Sequence, residues 1–443
     1  MLVVAMQQHN HRQQLIQLDT PLAHNNLLHQ TPHGHVLCWE KPYGDDFKGK
    51  WHKISPKHDS IYSNNLLVGL SEKKDTYFSV NEFSGWRLQR LLKSLRACFV
   101  DIALGEVATR YDLEEAISLL HDKKMPSPNL AIFSGRGLHL YWLLQPTSPN
   151  ALPLWQAIEN SLIKSLCDFH SDSNARDCTR VLRLAGTINS KNDEVVRGLI
   201  LDSIPWDLNH LSDEVLGYKD ESILKIRSLE AARARKGIHP LANEYRRWYL
   251  VHRDVEVIGK YHKVIPTGFR NEFLFISSVA LSWFASEDSI QNEVLDIAKR
   301  FCPGISNSEA VEAASQSVAR AKKAEAGEKH LWNGQERDPR YHFKRTTLWE
   351  RLKSLAEPIQ DKLRAIISDE LAGSRENARQ KTRDRVEEGR YKTKYSGKGY
   401  REVNNNKVFE AKKMYKMNMS LREIALVFGV SHITVRKWIL DVN

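Results

Sequence analysis

The sequence predicts a mixed α/β or α+β domain, followed by an all-α domain and a C-terminal helix-turn-helix. Three observations support this prediction. Up to about residue 215, apolar strand-like runs alternate with amphipathic helical patterns, as in FVDIAL followed by DLEEAISLLHDKKM. Helical spacing alone then continues to about residue 335. Near the end of the chain, a capped helix, a glycine and a second capped helix follow one another.

The composition indicates a soluble globular protein that binds a polyanion. The chain has 443 residues, 41% of them hydrophobic and 27% charged, which is enough for several domains. Its net charge of +11 favours nucleic acid over a membrane, because no apolar run approaches the roughly 20 residues of a membrane span. A merely basic surface is the alternative. Five scattered cysteines without a C-x-x-C pair, and an opening without a signal-peptide pattern, favour a cytoplasmic location.

Changes in pattern predict five regions. Residues 1–75 are polar and strand-like with no evident role, and residues 76–215 form the α/β or α+β core. Residues 216–335 form the helical domain, 336–400 a basic charged helix and linker, and 401–443 the helix-turn-helix. Within the core, RLQRLLKSL (87–95) predicts a short helix and ACFVDIAL (97–104) a buried strand. The charged run in 336–400 fits a solvated helix face as well as a nucleic-acid contact.

The C-terminal region has the pattern of a DNA-binding module. Ser420 and Glu423 form a capping box, Gly429 suits a turn with positive φ, and Ser431 caps the second helix. We expect the second helix to enter the major groove of duplex DNA. A helical hairpin used for protein contact is the alternative. The residues expected to face DNA are Ser431, His432, Thr434, Arg436 and Lys437.

Three segments of the core place polar groups beside apolar strands. The first ends in Asp101. The second is SGRGLHLYW (134–142), and the third is DSNARDCTRVLRLAGTINSK (172–191). Taken singly, each has an ordinary interpretation: a turn or cap aspartate, a plain glycine turn, or a histidine of the core. Together they provide acids to hold a divalent metal and cations to hold a triphosphate, which are the groups that a nucleotidyl-transfer reaction needs.

The order YFSVNEF, FVDI, SGRGLHLYW and RVLRLAGTIN-K resembles the archaeo-eukaryotic primase superfamily. The likeness covers about residues 75–200 and is strongest to the RepB-like and primase-polymerase branch, whose members are replication proteins of plasmids, phages and integrative elements. It implies an α+β catalytic core that uses Mg²⁺ or Mn²⁺ with nucleoside triphosphates. Ala185 stands where the family usually has proline.

The resemblance also implies roles for individual residues. Asp101 is the first metal-binding acid, and His139 contacts the phosphates of the incoming nucleotide. Asp172 is the preferred third acid and Asp177 its close rival, since both precede RVLR. The remaining residues expected to bind the nucleotide are Ser134, Arg136, Arg180, Arg183 and Lys191.

Ala103 departs from the family pattern. The family has acid-x-acid at this strand end, so FVDIALGE reads like FVDIDLGE with one carboxylate removed. Glu106 could replace it as a metal ligand only if the strand ended early and the chain turned back. Loss of the acid would otherwise leave a fold that binds nucleotide and polymerises poorly.

The sequence therefore favours a replication protein of a mobile genetic element that makes primers on single-stranded DNA. Its helix-turn-helix would bind duplex DNA, and a separate helicase would open the duplex, because the chain has no G-x-x-x-x-G-K-[ST] motif. A non-catalytic DNA-binding initiator or regulator with a degenerate primase domain is the alternative, favoured by Ala103. A nucleic-acid hydrolase would need a nucleophile or base constellation that we do not find.

Overall fold

The computed structural model describes residues 16–42, 49–54, 61–217, 243–332, 334–393, 399–417 and 419–440. The predictions for the N-terminal opening and for the glycine-containing end of the linker fall in part on residues 1–15 and 394–398, which lie outside the described residues. The chain forms two compact units, Met1–Ile366 and Ile367–Asn443. None of the described helices is long and apolar enough to cross a membrane.

A six-stranded sheet organises the first unit. The order of its strands is β1-β12-β7-β8-β6-β5, and neighbouring strands are antiparallel. The long pair β6–β8 forms its centre, and the side chains of this pair are buried over most of their length. The strands are β1 (Ile16–Leu18), β5 (Glu82–Phe83), β6 (Leu92–Ala103), β7 (Leu130–Phe133), β8 (Gly137–Thr147) and β12 (Arg197–Ile200).

Strand β6 confirms the predicted buried strand and contradicts the predicted helix before it. Residues 89–91 form a single 3₁₀ turn, and the extended chain begins at Leu92. Leu92 pairs with Phe83 of β5, and Leu95 pairs with Thr147 of β8. The helical spacing of residues 87–95 was misleading because hydrogen bonds to two neighbouring strands outweigh a weak local helix preference.

A second sheet of four strands lies in the same unit and has the order β3-β2-β4-β9. Because β1 pairs with β12 and β2 pairs with β4, the described part of residues 1–75 is built into the core. The predicted boundary at residue 75 lies between two paired strands. The strands of this sheet are β2 (Val36–Glu40), β3 (Lys50–Ile54), β4 (Thr76–Ser79) and β9 (Val181–Arg183). Small hairpins outside the two sheets pair β10 (Ile188–Asn189) with β11 (Glu194–Val195), and β13 (His330–Trp332) with β14 (Gln335–Arg337).

Helices cover the first sheet. The helix predicted from DLEEAISLLHDKKM is confirmed as α3, which begins with a capping box between Thr109 and Asp112. Helix α4 packs on β6, where the Trp155 indole donates to the Ala97 carbonyl at 2.9 Å. The helices are α1 (Pro21–Leu28), α2 (Ile61–Gly69), α3 (Arg110–Asp122), α4 (Leu152–Ser165) and α5 (Leu208–Val215).

The next region is helical, as predicted. Ion pairs join it to the core, among them Arg90 with Asp296 at 2.8 Å and Arg176 with Glu325 at 2.5 Å. The prediction of an α+β core followed by an all-α region is therefore confirmed. The helices are α6 (Asn243–His262), α7 (Arg270–Leu281), α8 (Glu287–Phe301), α9 (Asn307–Glu325) and α10 (Arg345–Ala356).

The described residues of the second unit form the helices α11 (Asp369–Thr393), α12 (Gly399–Lys416), α13 (Leu421–Phe428) and α14 (His432–Leu440). The Ser420–Glu423 capping box forms as predicted, and Gly429 has φ of 61° between α13 and α14. The last three helices share a small core that includes Ala411, Ile424 and Val435.

The prediction that His432 faces outward is wrong. Its side chain is buried, with 9% exposure. His432 and Val435 are three positions apart on α14, so they share the face that packs inward. Arg436 and Lys437 lie on the exposed face. Ser431 caps α14 by accepting the Thr434 N–H at 3.1 Å, and its hydroxyl lies 2.9 Å from the Thr434 hydroxyl.

Candidate functional site

A cleft of about 440 Å³ opens where β6 ends and β8 begins. Its walls come from both sheets, because β4 and β9 contribute to it together with β6 and β8. Residues predicted from three separate sequence segments thus meet in one place. Those that line the cleft are Asp101, Ser134, Arg136, His139, Arg180, Arg183 and Lys191.

Asp101 and His139 are directly opposite each other across the β6–β8 ladder. The distance from His139 Nε2 to Asp101 Oδ1 is 3.6 Å. The His139 side chain is 5% exposed, whereas that of Asp101 is 30% exposed and reaches into the cleft. The sheet register therefore places a carboxylate and an imidazole side by side at the cleft surface.

The surroundings favour the neutral form of both groups. Burial, with the charge of Asp172, raises the pKa of Asp101 to about 6, although Arg180 and Arg183 act in the opposite direction. Burial, with the charge of Arg183, lowers the pKa of His139 to about 3. At neutral pH His139 is an uncharged ring with one N–H donor. With a pKa of about 6, Asp101 is protonated more easily than an exposed carboxyl but is still mainly ionised at pH 7.

The two rival acids have different surroundings. The Asp172 N–H donates to the Asp101 carbonyl at 2.7 Å, and the charge of Asp172 acts on Asp101. Asp177 is instead buried, and its carboxylate accepts from Thr179, Ser286 and Ser289. Asp172 is thus connected to Asp101 through the backbone, but it does not line the cleft, and its carboxylate accepts the Asn174 N–H at 2.8 Å. Asp177 lies between the core and α8.

The third carboxylate considered, Glu106, lies beyond the end of β6. Its side chain is exposed and does not line the cleft. Strand β6 continues to Ala103 without the early turn that Glu106 would need. Ala103 and Asp101 are two residues apart on one strand, so they face the same side, and both line the cleft. The position of a second ligand therefore exists, but it carries a methyl group.

The glycines of the Ser134–Gly137 turn are required by close packing. Gly135 has φ of 98°, and a side chain there would meet the Asn189 amide. At Gly137, a Cβ would overlap the Ile102 carbonyl of β6. The Ser134 hydroxyl donates to the Gly137 carbonyl at 3.1 Å, so it is used to hold the turn. The turn thus lets β6 and β8 approach closely beside His139.

Arg183 is held in place at the base of the cleft. Its Nη1 contacts Asp75 Oδ1 at 2.6 Å, and its guanidinium lies 4.8 Å above the Tyr77 ring. Asp75 also accepts from the Ser190 hydroxyl and N–H. Burial raises the pKa of Asp75, but the hydrogen bonds from Ser190 and Arg183 outweigh it and lower the pKa overall. Arg183 is therefore a fixed cation with a balanced charge.

Three further cations surround the opening. Arg136 Nε donates to the Gly105 carbonyl at 2.8 Å, while its side chain is otherwise exposed. Arg180 donates to the Asn174 carbonyl and lies 3.4 Å from Asp177. Lys191 is exposed, and its N–H donates to the Asn189 side chain at 3.1 Å. Cations thus approach the Asp101–His139 pair from several segments, an arrangement suited to a polyphosphate.

The residue-level predictions did not include four residues that shape the site: His24, Asp75, Tyr77 and Asn189. His24 is fully buried and accepts the Ala185 N–H at 3.1 Å through Nδ1. Asn189 donates to the Ser134 carbonyl at 2.8 Å and thereby joins two of the predicted segments. The strand-like pattern of TYFS (76–79) was a local signal from which Tyr77 could have been found. No local pattern indicates His24 or Asp75.

Comparisons with known proteins identify a curated relative and several solved structures. No family model matches the chain. A curated protein from Clostridium perfringens, described as a replication protein, is 28% identical over 299 residues, which are 67% of this chain and 69% of the relative. The likeness to replication proteins is confirmed.

Three solved structures resemble the chain at low identity. The primase-polymerase domain of cyanophage S-2L covers 44% of this chain and 96% of its own, with 20% identity and a TM-score of 0.33. The primase RepB′ covers 68% of this chain and 94% of its own, with 14% identity and a TM-score of 0.27. The catalytic domain of RepB′ in complex with initiator DNA covers 49% of this chain and 100% of its own, with 13% identity and a TM-score of 0.27.

Proposed function

We propose that this chain is a primase-type nucleotidyltransferase that serves the replication of a mobile genetic element. Its substrates would be nucleoside triphosphates and a single-stranded DNA template. The observation that carries the proposal is the pairing of Asp101 with His139 in a cleft surrounded by cations. Such a site binds a triphosphate and balances the charge that develops as pyrophosphate leaves.

The residues take distinct parts in this reaction. Neutral His139 donates one N–H to a phosphate oxygen, so it orients the nucleotide without adding charge. Arg183, whose charge is balanced by Asp75, offers its remaining N–H donors at the base of the cleft. Arg136, Arg180 and Lys191 approach from the opening and favour the polyphosphate over neutral ligands.

The carboxylates of Asp101 and Asp172 are the groups that would hold a divalent cation. Among the described residues, no three His, Cys, Asp or Glu side chains form a metal-binding cluster. Asp101 and Asp172 still offer the one or two carboxylates with which Mg²⁺ is usually held, the other ligands being waters and substrate phosphates. Mg²⁺ or Mn²⁺ bound there would lower the barrier to attack by the primer hydroxyl. Asp101 would be its main protein ligand.

Ala103 supports a second candidate function. Without a second acid on β6, the core would bind nucleotide and DNA but catalyse little transfer. The chain would then act as a DNA-binding initiator or regulator. In either case, we propose that Ser431, Thr434, Arg436 and Lys437 contact duplex DNA, while His432 supports α14 from inside. A separate helicase would open the duplex.

Primer synthesis on a single-stranded template with labelled nucleotides and Mn²⁺ tests the proposal. The natural chain should give product, and Asp101→Asn should give none. Ala103→Asp should raise the rate by about 10- to 100-fold, because it restores a carboxylate that faces the cleft. Product from Ala103→Asp alone would identify the natural chain as an impaired enzyme and favour the second candidate. Absence of product from both chains would refute the enzymatic proposal.

A further inference from the structure

A row of side chains crosses the second sheet from edge to edge. Trp51 of β3 is directly opposite Trp39 of β2, Trp39 is opposite Tyr77 of β4, and Tyr77 is opposite Arg183 of β9. Residues that are directly opposite lie on the same face of a sheet. We call these four residues, together with Trp86, the aromatic row. Three strand spacings of about 4.8 Å give the part on the sheet a length of about 14 Å.

The rings of the aromatic row contact one another without a break. The Trp39 and Trp51 rings are stacked with centroids 5.5 Å apart, and the Trp39 and Tyr77 centroids are 5.7 Å apart. Trp86 extends the row at its outer end, 4.8 Å from Trp51. On the opposite face of the sheet, Cys38, Phe78 and Leu182 form part of the buried core.

The aromatic row is not itself buried. Trp39, Trp51 and Tyr77 are half-buried, and Trp86 is 45% exposed. Cross-strand aromatic pairs stabilise a sheet, but stabilisation alone does not require that three tryptophans remain in contact with water. A contiguous exposed aromatic surface indicates a ligand.

Positive charge accompanies the rings. The Arg87 guanidinium lies 4.7 Å above the Trp51 ring, and the Arg183 guanidinium lies 4.8 Å above the Tyr77 ring. Lys53 is exposed two residues after Trp51, on the same face of β3. Aromatic rings interleaved with cations suit unpaired nucleobases joined by phosphates. Duplex DNA hides its base faces, and an apolar protein partner would not need the cations.

The aromatic row is continuous with the cleft, since Tyr77 and Arg183 belong to both. We propose that single-stranded DNA lies along the aromatic row, with its bases against the rings and its phosphates near the cations. This proposal rests on the proposed function, and it assigns the aromatic row as the path by which the template strand reaches Asp101. The row would bind through stacking, so it would tolerate many base sequences.

Photocrosslinking of the full chain locates the strand. The probe is an oligothymidylate with one 5-iododeoxyuridine, and the chain carries Arg436→Ala and Lys437→Ala so that the C-terminal unit binds less DNA. Adducts on Trp39, Trp51, Tyr77 or Trp86, mapped by mass spectrometry, are the expected result. Adducts confined to residues outside the aromatic row would overturn the proposal.

Affinity provides a second measurement. In the same background, Trp86→Ala and Tyr77→Leu should each weaken binding of fluorescein-labelled oligothymidylate by about tenfold, as expected for loss of one stacking ring. Trp86→Phe should restore most of the affinity. Tyr111→Ala is the control, because Tyr111 is an 83% exposed ring on α3, outside the aromatic row. Unchanged thermal unfolding of each variant shows that the sheet is intact.

The primer assay and the oligothymidylate-binding measurements together distinguish failure of the row proposal from failure of the enzymatic proposal. If no variant makes primers but oligothymidylate binding depends on the row, the row proposal stands and the enzymatic one fails. If primers are made and the row variants bind like the natural chain, the row proposal fails. A monomer–dimer equilibrium that shifts with Trp86→Ala, while DNA binding stays constant, would also reject it in favour of a second copy as the occupant.

Discussion

At the scale of single residues, the site depends on a buried histidine that takes no direct part in binding. His24 Nδ1 accepts the Ala185 N–H, so the proton of the neutral ring is on Nε2. Among the residues that the structure describes, Nε2 has no hydrogen-bond partner. Burial, with the charges of His139 and His29, lowers the pKa of His24 to about 3, and the Tyr141 ring also faces it at 5.9 Å.

This shift predicts a contribution of His24 to pH-dependent stability. Its pKa is lower in the folded chain than the 6.5 of the unfolded chain, so the unfolded state binds the proton more readily between pH 6.5 and 3. The contribution is complete above pH 6.5 and is lost as the pH falls toward 3. In His24→Asn, whose amide oxygen can still accept the Ala185 N–H, the pH dependence of the unfolding free energy should decrease by up to about 1.4 kcal/mol per pH unit.

Urea unfolding at pH 7, 6 and 5 measures this difference. His121→Asn is a matched control, because His121 is exposed at the end of α3. Equal slopes for the natural chain and His24→Asn would contradict the prediction.

At the scale of secondary-structure elements, Asp177 joins the core to α8. Its carboxylate accepts from Thr179 at 2.5 Å, from Ser286 at 3.1 Å and from Ser289 at 3.3 Å. Burial raises its pKa, but Arg180, Thr179, Arg87 and Ser286 together lower it. The two aspartates that the sequence could not separate thus differ in what surrounds them. The Asp172 N–H donates to the Asp101 carbonyl, whereas the Asp177 carboxylate joins the core to α8.

We therefore expect the two substitutions to affect different properties, stability for Asp177 and primer synthesis for Asp172. Asp177→Ala should lower the free energy of unfolding by about 2–3 kcal/mol, because several buried donors lose a charged acceptor. Asp172→Asn should change it by less than about 0.5 kcal/mol and should reduce primer synthesis. Urea unfolding and the primer assay, applied to both variants, check the pair. Equal loss of stability in the two would show that Asp172 is also structural.

The sequence predicts elements better than it predicts contacts. Strand β6, helices α3 and α4, and the Ser420 capping box follow from local periodicity and cap residues, and all are present. The predicted helix over residues 87–95 failed because its leucines fit a strand equally well once β5 and β8 lie beside it. Asp75 and His24 were missed because their partners, Arg183 and Ala185, are more than a hundred residues away. A local sequence pattern does not indicate a contact between residues so far apart in the chain.

At the scale of the whole molecule, the net charge of +11 is consistent with more than one DNA-contacting surface. Unit Ile367–Asn443 has its own small core and presents Arg436 and Lys437 on the exposed face of α14. The two units can therefore be tested by different DNA probes.

Arg436→Ala with Lys437→Ala should weaken duplex binding and flatten its dependence on salt. Each lost phosphate contact reduces the slope of log affinity against log salt by about 1. Lys322→Ala with Lys323→Ala removes the same charge from an exposed part of α9 and serves as the control. Fluorescence anisotropy with a labelled duplex at several salt concentrations measures both. An unchanged slope would count against DNA contact by α14.

The pairing of β1 with β12 affects how the protein is made. Ile16 pairs with Ile200, so β1 must stay without its partner while the intervening residues are synthesised. At roughly 5–20 residues per second, this wait lasts about 10–40 s on the ribosome. Strand pairings of such high contact order form late and slowly. Strand β1 is therefore synthesised well before its partner and is among the last to join the sheet, and until then the nascent chain carries an open strand edge for chaperones to shield.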